Sequence, residues 1–87
     1  MKYRVETTPR FEKQLAKLDK FTAKMILKWL LKNIADTNNP KKSGKLLVGN
    51  HSGKWRYRVG DYRIICKIEE DELLVLALEV GHRKKIY

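Results

Sequence analysis

The sequence predicts a small α+β domain, one sheet carrying its helices on a single face. Three observations support that expectation. Apolar residues recur at helical spacing between Phe11 and Ile34, they alternate at strand spacing from Trp55 to Ile68, and a near-continuous apolar run, LLVLALEV, follows an acidic turn. The expected order is an N-terminal strand, a helical hairpin, then a three-strand antiparallel run, all in one mixed or mostly antiparallel sheet.

KYRVET reads as a short first strand. In TPRFEKQLAKL, Thr8 can cap the first orphan amides of a helix, and Pro9 suits the first helical position. Phe11, Leu15 and Leu18 then recur at four and three, until Asp19 and Lys20 interrupt the pattern. A second helix is expected from about Phe21 to Ile34. Met25, Ile26, Trp29, Leu30 and Ile34 face broadly one way, and Leu27 and Leu31 widen that side. So short a link between helices implies a hairpin. DTNNPKKSGKLLVGNHSG is loop-like, with KLLVG able to pack down onto the core, and His51 in it reads as a solvent-facing loop histidine. KWRYRV alternates, Gly60 and Asp61 turn, and YRIICKI continues. Glycine at the first turn position suits a two-residue type II′ hairpin.

That turn fixes a register. Val59 pairs with Tyr62, Arg58 lies opposite Arg63, Arg56 opposite Ile65, and Lys54 opposite Lys67. Trp55, Tyr57, Val59, Tyr62, Ile64, Cys66 and Ile68 then share a core face, and Lys54, Arg56, Arg58, Arg63 and Lys67 share the other. Like charges directly opposite destabilise a strand pair, and no acid occurs among these positions. An anion held between Arg58 and Arg63 accounts for the arrangement, because guanidinium forks match phosphate oxygens.

Composition narrows the partners. The chain has 87 residues, enough for one domain with one small core, and a formal charge of +10. Such a field attracts polyanions, nucleic acid first and acidic protein second. The one cysteine, Cys66, allows no internal disulfide and suits a reducing compartment. No apolar stretch approaches the roughly 18 residues of a membrane span, and the N-terminal stretch lacks the apolar region of a signal peptide. A cytoplasmic location with no membrane partner is the expectation.

The basic residues invite chemistry at phosphate. With RNA, the substrate's own 2′-OH can attack, so the protein needs a base, cations around the phosphate and an acid at the leaving oxygen. His82 is a residue type that moves protons near neutrality. Tyr87 can serve as a base only with cations beside it, and Arg58, Arg63 and Arg83 can supply that field. Lys41, Lys42, Lys45, Lys54, Arg56, Lys67, Lys84 and Lys85 are candidate RNA-backbone contacts. The acids of EEDE are consecutive and His51 and His82 lack ligand spacing, so neither a metal nor another cofactor is expected.

The stretch WRYRVGDYR followed by VGHR resembles the RelE/ParE toxin superfamily, within it most closely the RelE-type mRNA endonucleases of bacterial type II toxin–antitoxin pairs. The resemblance covers essentially the whole chain, 1–87, as one toxin domain. It implies metal-independent cleavage of mRNA in the ribosomal A site by 2′-OH attack, with contacts to 16S rRNA. It also implies restraint by a cognate acidic antitoxin in a hetero-oligomer. The family's basic strand positions fall on Arg56 and Arg58, the arginine after the turn on Arg63, the arginine after the terminal glycine on Arg83, and the late tyrosine on Tyr87. The histidine that some relatives carry falls on His82. Arginine at 56 and 58, where the family often has lysine, is a poor general base. Proton transfer is therefore left to His82 or Tyr87, with Arg58 and Arg63 on the phosphate, Arg83 stabilising developing charge and Arg56 steering the RNA backbone. The same fold carries toxins that inhibit DNA gyrase without nuclease activity, the chief alternative. An inactive RNA-binding module is the third.

Overall fold

The structure, a computed structural model, describes residues 2–35, 37–49 and 52–84. Strand β1 (Arg4–Thr7) leads through Thr8 into α1 (Pro9–Ala16). Thr8 is extended, its hydroxyl accepts the Phe11 N–H, and Pro9 occupies the helix start where a donor would be unused. Helix α2 (Lys20–Asn33) starts one residue earlier than its apolar stripe suggests, because Asp19 is its cap rather than a mere interruption. The Asp19 carboxylate accepts from the Thr22 hydroxyl at 2.6 Å and the Thr22 N–H at 3.0 Å, and those bonds hold it below the usual carboxylate range.

Four further strands follow: β2 (Gly44–Leu46), β3 (Trp55–Val59), β4 (Tyr62–Glu69) and β5 (Leu74–His82). A 3₁₀ turn over Glu70–Glu72 joins the last two. The described strands form one sheet in the order β1-β5-β4-β3-β2, parallel only between β1 and β5. Phe11, Ile26, Leu30 and Ile34 from the helical side bury against Tyr57, Val59, Ile64, Cys66, Val75, Ala77 and Val80 of the sheet. The Trp29 ring tilts onto Tyr57 at 5.5 Å, and the Tyr57 hydroxyl donates to the Pro40 carbonyl oxygen. Gly44 lets the loop press on that ring, since a Cβ there would stand 2.8 Å from it.

The β3–β4 hairpin has the expected register, Val59 with Tyr62, Arg58 with Arg63 and Arg56 with Ile65. Gly60 takes a φ of +60° while Asp61 does not turn positive, as a type II′ turn requires. Two details differ. Lys54 lies outside β3, whose ladder begins with Trp55 opposite Cys66, so Lys54 and Lys67 are not a ladder pair. KLLVG also supplies a strand rather than only a packed loop, and this sets Lys45 opposite Arg56.

The largest departure lies in β5. Ile65 pairs with Glu79 but Cys66 with Ala77, leaving Leu78 as a one-residue bulge. A bulge shifts the alternation by one residue. Val75 and Ala77 point to the core before it, and Val80 after it. Glu79 is thereby kept out of the core, and His82 is carried to the helical side.

Strand β1 stops at Thr7 opposite Ala77, so it cannot cover the rest of β5. Helix α1 takes its place with side chains. The Thr8 hydroxyl donates to the Ala77 carbonyl at 3.0 Å, Gln14 Oε1 accepts the Val80 N–H at 2.8 Å, and Arg10 pairs with Glu79 at 3.3 Å.

Candidate nucleic-acid interface

Residues paired across a ladder share a face. The face turned away from the helices therefore carries one row of Lys45, Arg56, Ile65 and Glu79, and a second of Arg58, Arg63 and Gly81. Further along come Lys67 with Leu76 and Glu6, then Glu69 with Leu74 and Arg4. Charge is unevenly spread over this face. At the far end Arg4 pairs with Glu6 and Lys67 with Glu69, at 2.8 Å and 2.9 Å. The hydrogen bond that Lys67 donates to the Glu69 carboxylate raises the Lys67 pKa above its ordinary value. At the hairpin end Arg58 faces Arg63, and Arg63's other ladder neighbour is Gly81, which brings no side chain. Glu79, the acid nearest along β5, is engaged with Arg10. The positive field is thus concentrated beside the Gly60–Asp61 turn.

Ile65 lies on this face yet is fully buried. Its ladder neighbours are Arg56 and Glu79 and its flanks are Arg63 and Lys67, so long charged side chains cover it, and Arg56 Nε and Arg63 Nε and Nη1 are themselves buried. That packing limits how far Arg56 and Arg63 can swing, and both are half-buried where Arg58 is exposed.

Arg83 joins the same end. Its N–H donates to the Asp61 carbonyl at 2.9 Å, so the chain leaves β5 against the hairpin turn. His82 does not join it. Opposite Tyr62, its ring makes an edge-on contact at 5.6 Å on the helical side of the sheet. It lines a cavity of about 760 Å³ with Arg10, Gln14, Lys17, Leu18 and Lys84. The expectation that His82 stands with Arg58 and Arg63 thus meets the sheet itself as a barrier, and the Leu78 bulge is the cause.

Of the candidate backbone contacts, Lys45 and Arg56 adjoin the Arg58–Arg63 pair, while Lys67 sits further along the face. Lys41 is committed elsewhere, paired with Glu70 and lying over the Trp55 ring at 5.6 Å. Lys42 is exposed in the loop and Lys54 is half-buried just before β3. Lys84 belongs to the cavity side. Lys85 and Tyr87, with His51, lie outside the described residues. Sequence reasoning missed Glu79 and Arg10, because the only signal for them is a bulge that an apolar strand does not announce. Among the described residues, no group of three or more His, Cys, Asp or Glu is gathered to hold a metal, and no helix is long and apolar enough to cross a membrane.

Comparison with known proteins fits this architecture. Residues 5–87 match the family model described as the ParE toxin of the type II toxin-antitoxin system, parDE. No curated protein sequence matches the chain. Among solved structures, the RelBE2 toxin–antitoxin complex from Mycobacterium tuberculosis aligns with a TM-score of 0.86 at 25% identity, over 95% of this chain and 100% of that one. The archaeal RelE–RelB complex from Pyrococcus horikoshii aligns at 0.71 and 25% identity, over 98% and 99%. The isolated RelE toxin of E. coli shares the fold at 0.71 and 18% identity, over 92% of this chain and 83% of that one. From the family match and this fold, the chain belongs to the RelE/ParE superfamily of type II toxins.

Proposed function

We propose that the protein is the toxin of a type II toxin–antitoxin pair and acts as a metal-independent endoribonuclease on mRNA in the ribosomal A site. One observation carries this reading: Arg58 and Arg63 are held opposite each other beside the side-chain-free Gly81, with Arg83 tethered to the adjoining turn. Two guanidinium groups on rigid strands bind the non-bridging oxygens of a phosphate. The attacking 2′-oxygen bonds to phosphorus, the bond from phosphorus to the 5′-oxygen breaks, and the extra charge of that passage falls on the oxygens the arginines hold. A base takes the 2′-OH proton and an acid supplies one to the leaving oxygen, so the products are a 2′,3′-cyclic phosphate and a 5′-OH. With His82 on the far side of the sheet, Tyr87 is the proposed proton-transfer residue. Lys45 and Arg56 guide the RNA backbone toward the pair, and contacts with 16S rRNA complete the setting.

The partner in this reading is an acidic antitoxin forming a hetero-oligomer with the toxin. Both relatives at 25% identity were solved as toxin–antitoxin complexes. The present chain offers a charge of +10 together with exposed Phe21, Leu31 and Val48, a surface suited to an acidic segment with apolar side chains. One toxin domain over 1–87 and a cytoplasmic site of action belong to the same proposal.

A second reading, inhibition of DNA gyrase, is favoured by the family model itself, whose description is ParE. Programmed ribosomes carrying a defined mRNA separate the two. A-site breaks with 2′,3′-cyclic ends, lost in Arg63→Ala, are the expected result. Intact mRNA together with blocked gyrase supercoiling would overturn the nuclease reading in favour of the other.

A further inference from the structure

We infer that His82 is a positioning residue: its imidazole holds the turn that presents Arg83 and moves no proton in the reaction. The inference rests on the nuclease reading for Arg83's role, whereas the tether itself stands on geometry alone.

Two bonds bracket Arg83. Its own N–H donates to the Asp61 carbonyl, and the N–H of the next residue, Lys84, donates to His82 Nδ1 at 3.3 Å. The first anchors the chain to the hairpin turn. The second closes a local turn from a side chain two residues back, a geometry in which a side-chain acceptor stands in for a backbone one. Because Nδ1 accepts, the neutral ring carries its proton on Nε2. The edge-on packing against Tyr62 then fixes the ring plane. The imidazole is aimed away from the Arg58–Arg63 pair, with the sheet between them.

Protonation of Nδ1 would remove the acceptor and release Lys84. The polar groups that share the cavity with the ring are Arg10 and Gln14 from α1, Lys17 just beyond its end, Tyr62 from β4, Glu79 from β5, and Lys84 itself. Of these, Arg10 is paired with Glu79.

Two variants test the inference. His82→Asn keeps an acceptor oxygen near the place of Nδ1, and His82→Phe keeps a ring against Tyr62 without one. The amide signal of Lys84 in the purified protein, followed by NMR against pH, reads the tether without reference to catalysis. Cleavage on programmed ribosomes reads its use, each variant being made alone and with Arg83→Ala. The expected result is a Lys84 amide that shifts as the ring titrates and in the Phe variant, but is kept in the Asn variant. Cleavage should stay within about threefold in His82→Asn, fall about a hundredfold in His82→Phe, and fall no further when Phe is combined with Arg83→Ala. Equal losses in Asn and Phe that add to Arg83→Ala would make His82 a proton mover and overturn the inference. A Lys84 amide indifferent to His82→Phe would overturn it as well. No cleavage by the unaltered protein, with the amide still dependent on His82, would defeat the nuclease reading and leave the tether standing.

Discussion

Under the proposed nuclease reading, Arg58 is where function and stability oppose each other at the level of one side chain. It faces Arg63 across the ladder, a like-charge pairing that costs a few tenths to about 1 kcal/mol. Arg58→Ala is expected to leave urea stability unchanged or raise it by up to about that amount, while cleavage falls on the order of a hundredfold. Gly44 shows the reverse, a residue with no chemistry and a strict steric role. A methyl at 2.8 Å from the buried Tyr57 ring forces the loop off it, so Gly44→Ala should cost about 1–3 kcal/mol in urea unfolding. The buried protons of Cys66 and Tyr57 give a pH signature. Burial pushes the Cys66 thiol well above its ordinary range, and burial, with the nearby Cys66, does the same to the Tyr57 phenol. The unfolded chain releases these protons first, so their contribution is whole below about pH 8.5, then falls as pH passes that value and again beyond about pH 10. Denaturation midpoints measured from pH 7 upward should decline accordingly, and Cys66→Ala should remove the earlier part of the slope.

Strand β5 governs what the elements do. Its bulge keeps Glu79 outside and Val80 inside. Deleting Leu78 would join Ala77, opposite Cys66, directly to Glu79, opposite Ile65, a regular ladder that keeps Glu79 outside and Val80 inside. A loss of no more than about 3 kcal/mol, with the cooperative transition kept, is the expected result by urea titration. Here too lies the boundary of what the sequence made legible. The β3–β4 hairpin could be read residue by residue, because WRYRV and YRIICKI alternate polar with apolar and Gly60 pins the turn. LLVLALEV does not alternate, so no pattern marks where its phase slips, and the side on which His82 emerges was hidden with it. Strand β2 was missed because three residues, Gly44–Leu46, are too few to show a period. The helix caps were half legible. Thr8 and Pro9 announce α1, while Asp19 looked like a break until its carboxylate was seen to accept from Thr22.

At the scale of the molecule, the sheet separates two surfaces. One carries the arginine pair, and the other carries the helices and the cavity beside His82. With a charge of +10, the proposed binding to single-stranded RNA should be steeply salt-dependent. If Arg58 meets a phosphate, Arg58→Ala should flatten a plot of log affinity against log salt by about 0.7, measured by fluorescence anisotropy, whereas Lys41→Ala, its ammonium already committed to Glu70, should change the slope little. The way α1 stands in for a strand along β5 has one more effect. A sheet edge with open amides recruits other chains, and proteins defend such edges by covering or charging them. Thr8 and Gln14 occupy edge groups of β5 beyond the reach of β1, and the opposite edge is the short β2 with Lys45 at its centre. The chain standing alone therefore offers little template for strand-to-strand association. Its capacity to stay dispersed without a partner is written into the first turns of α1.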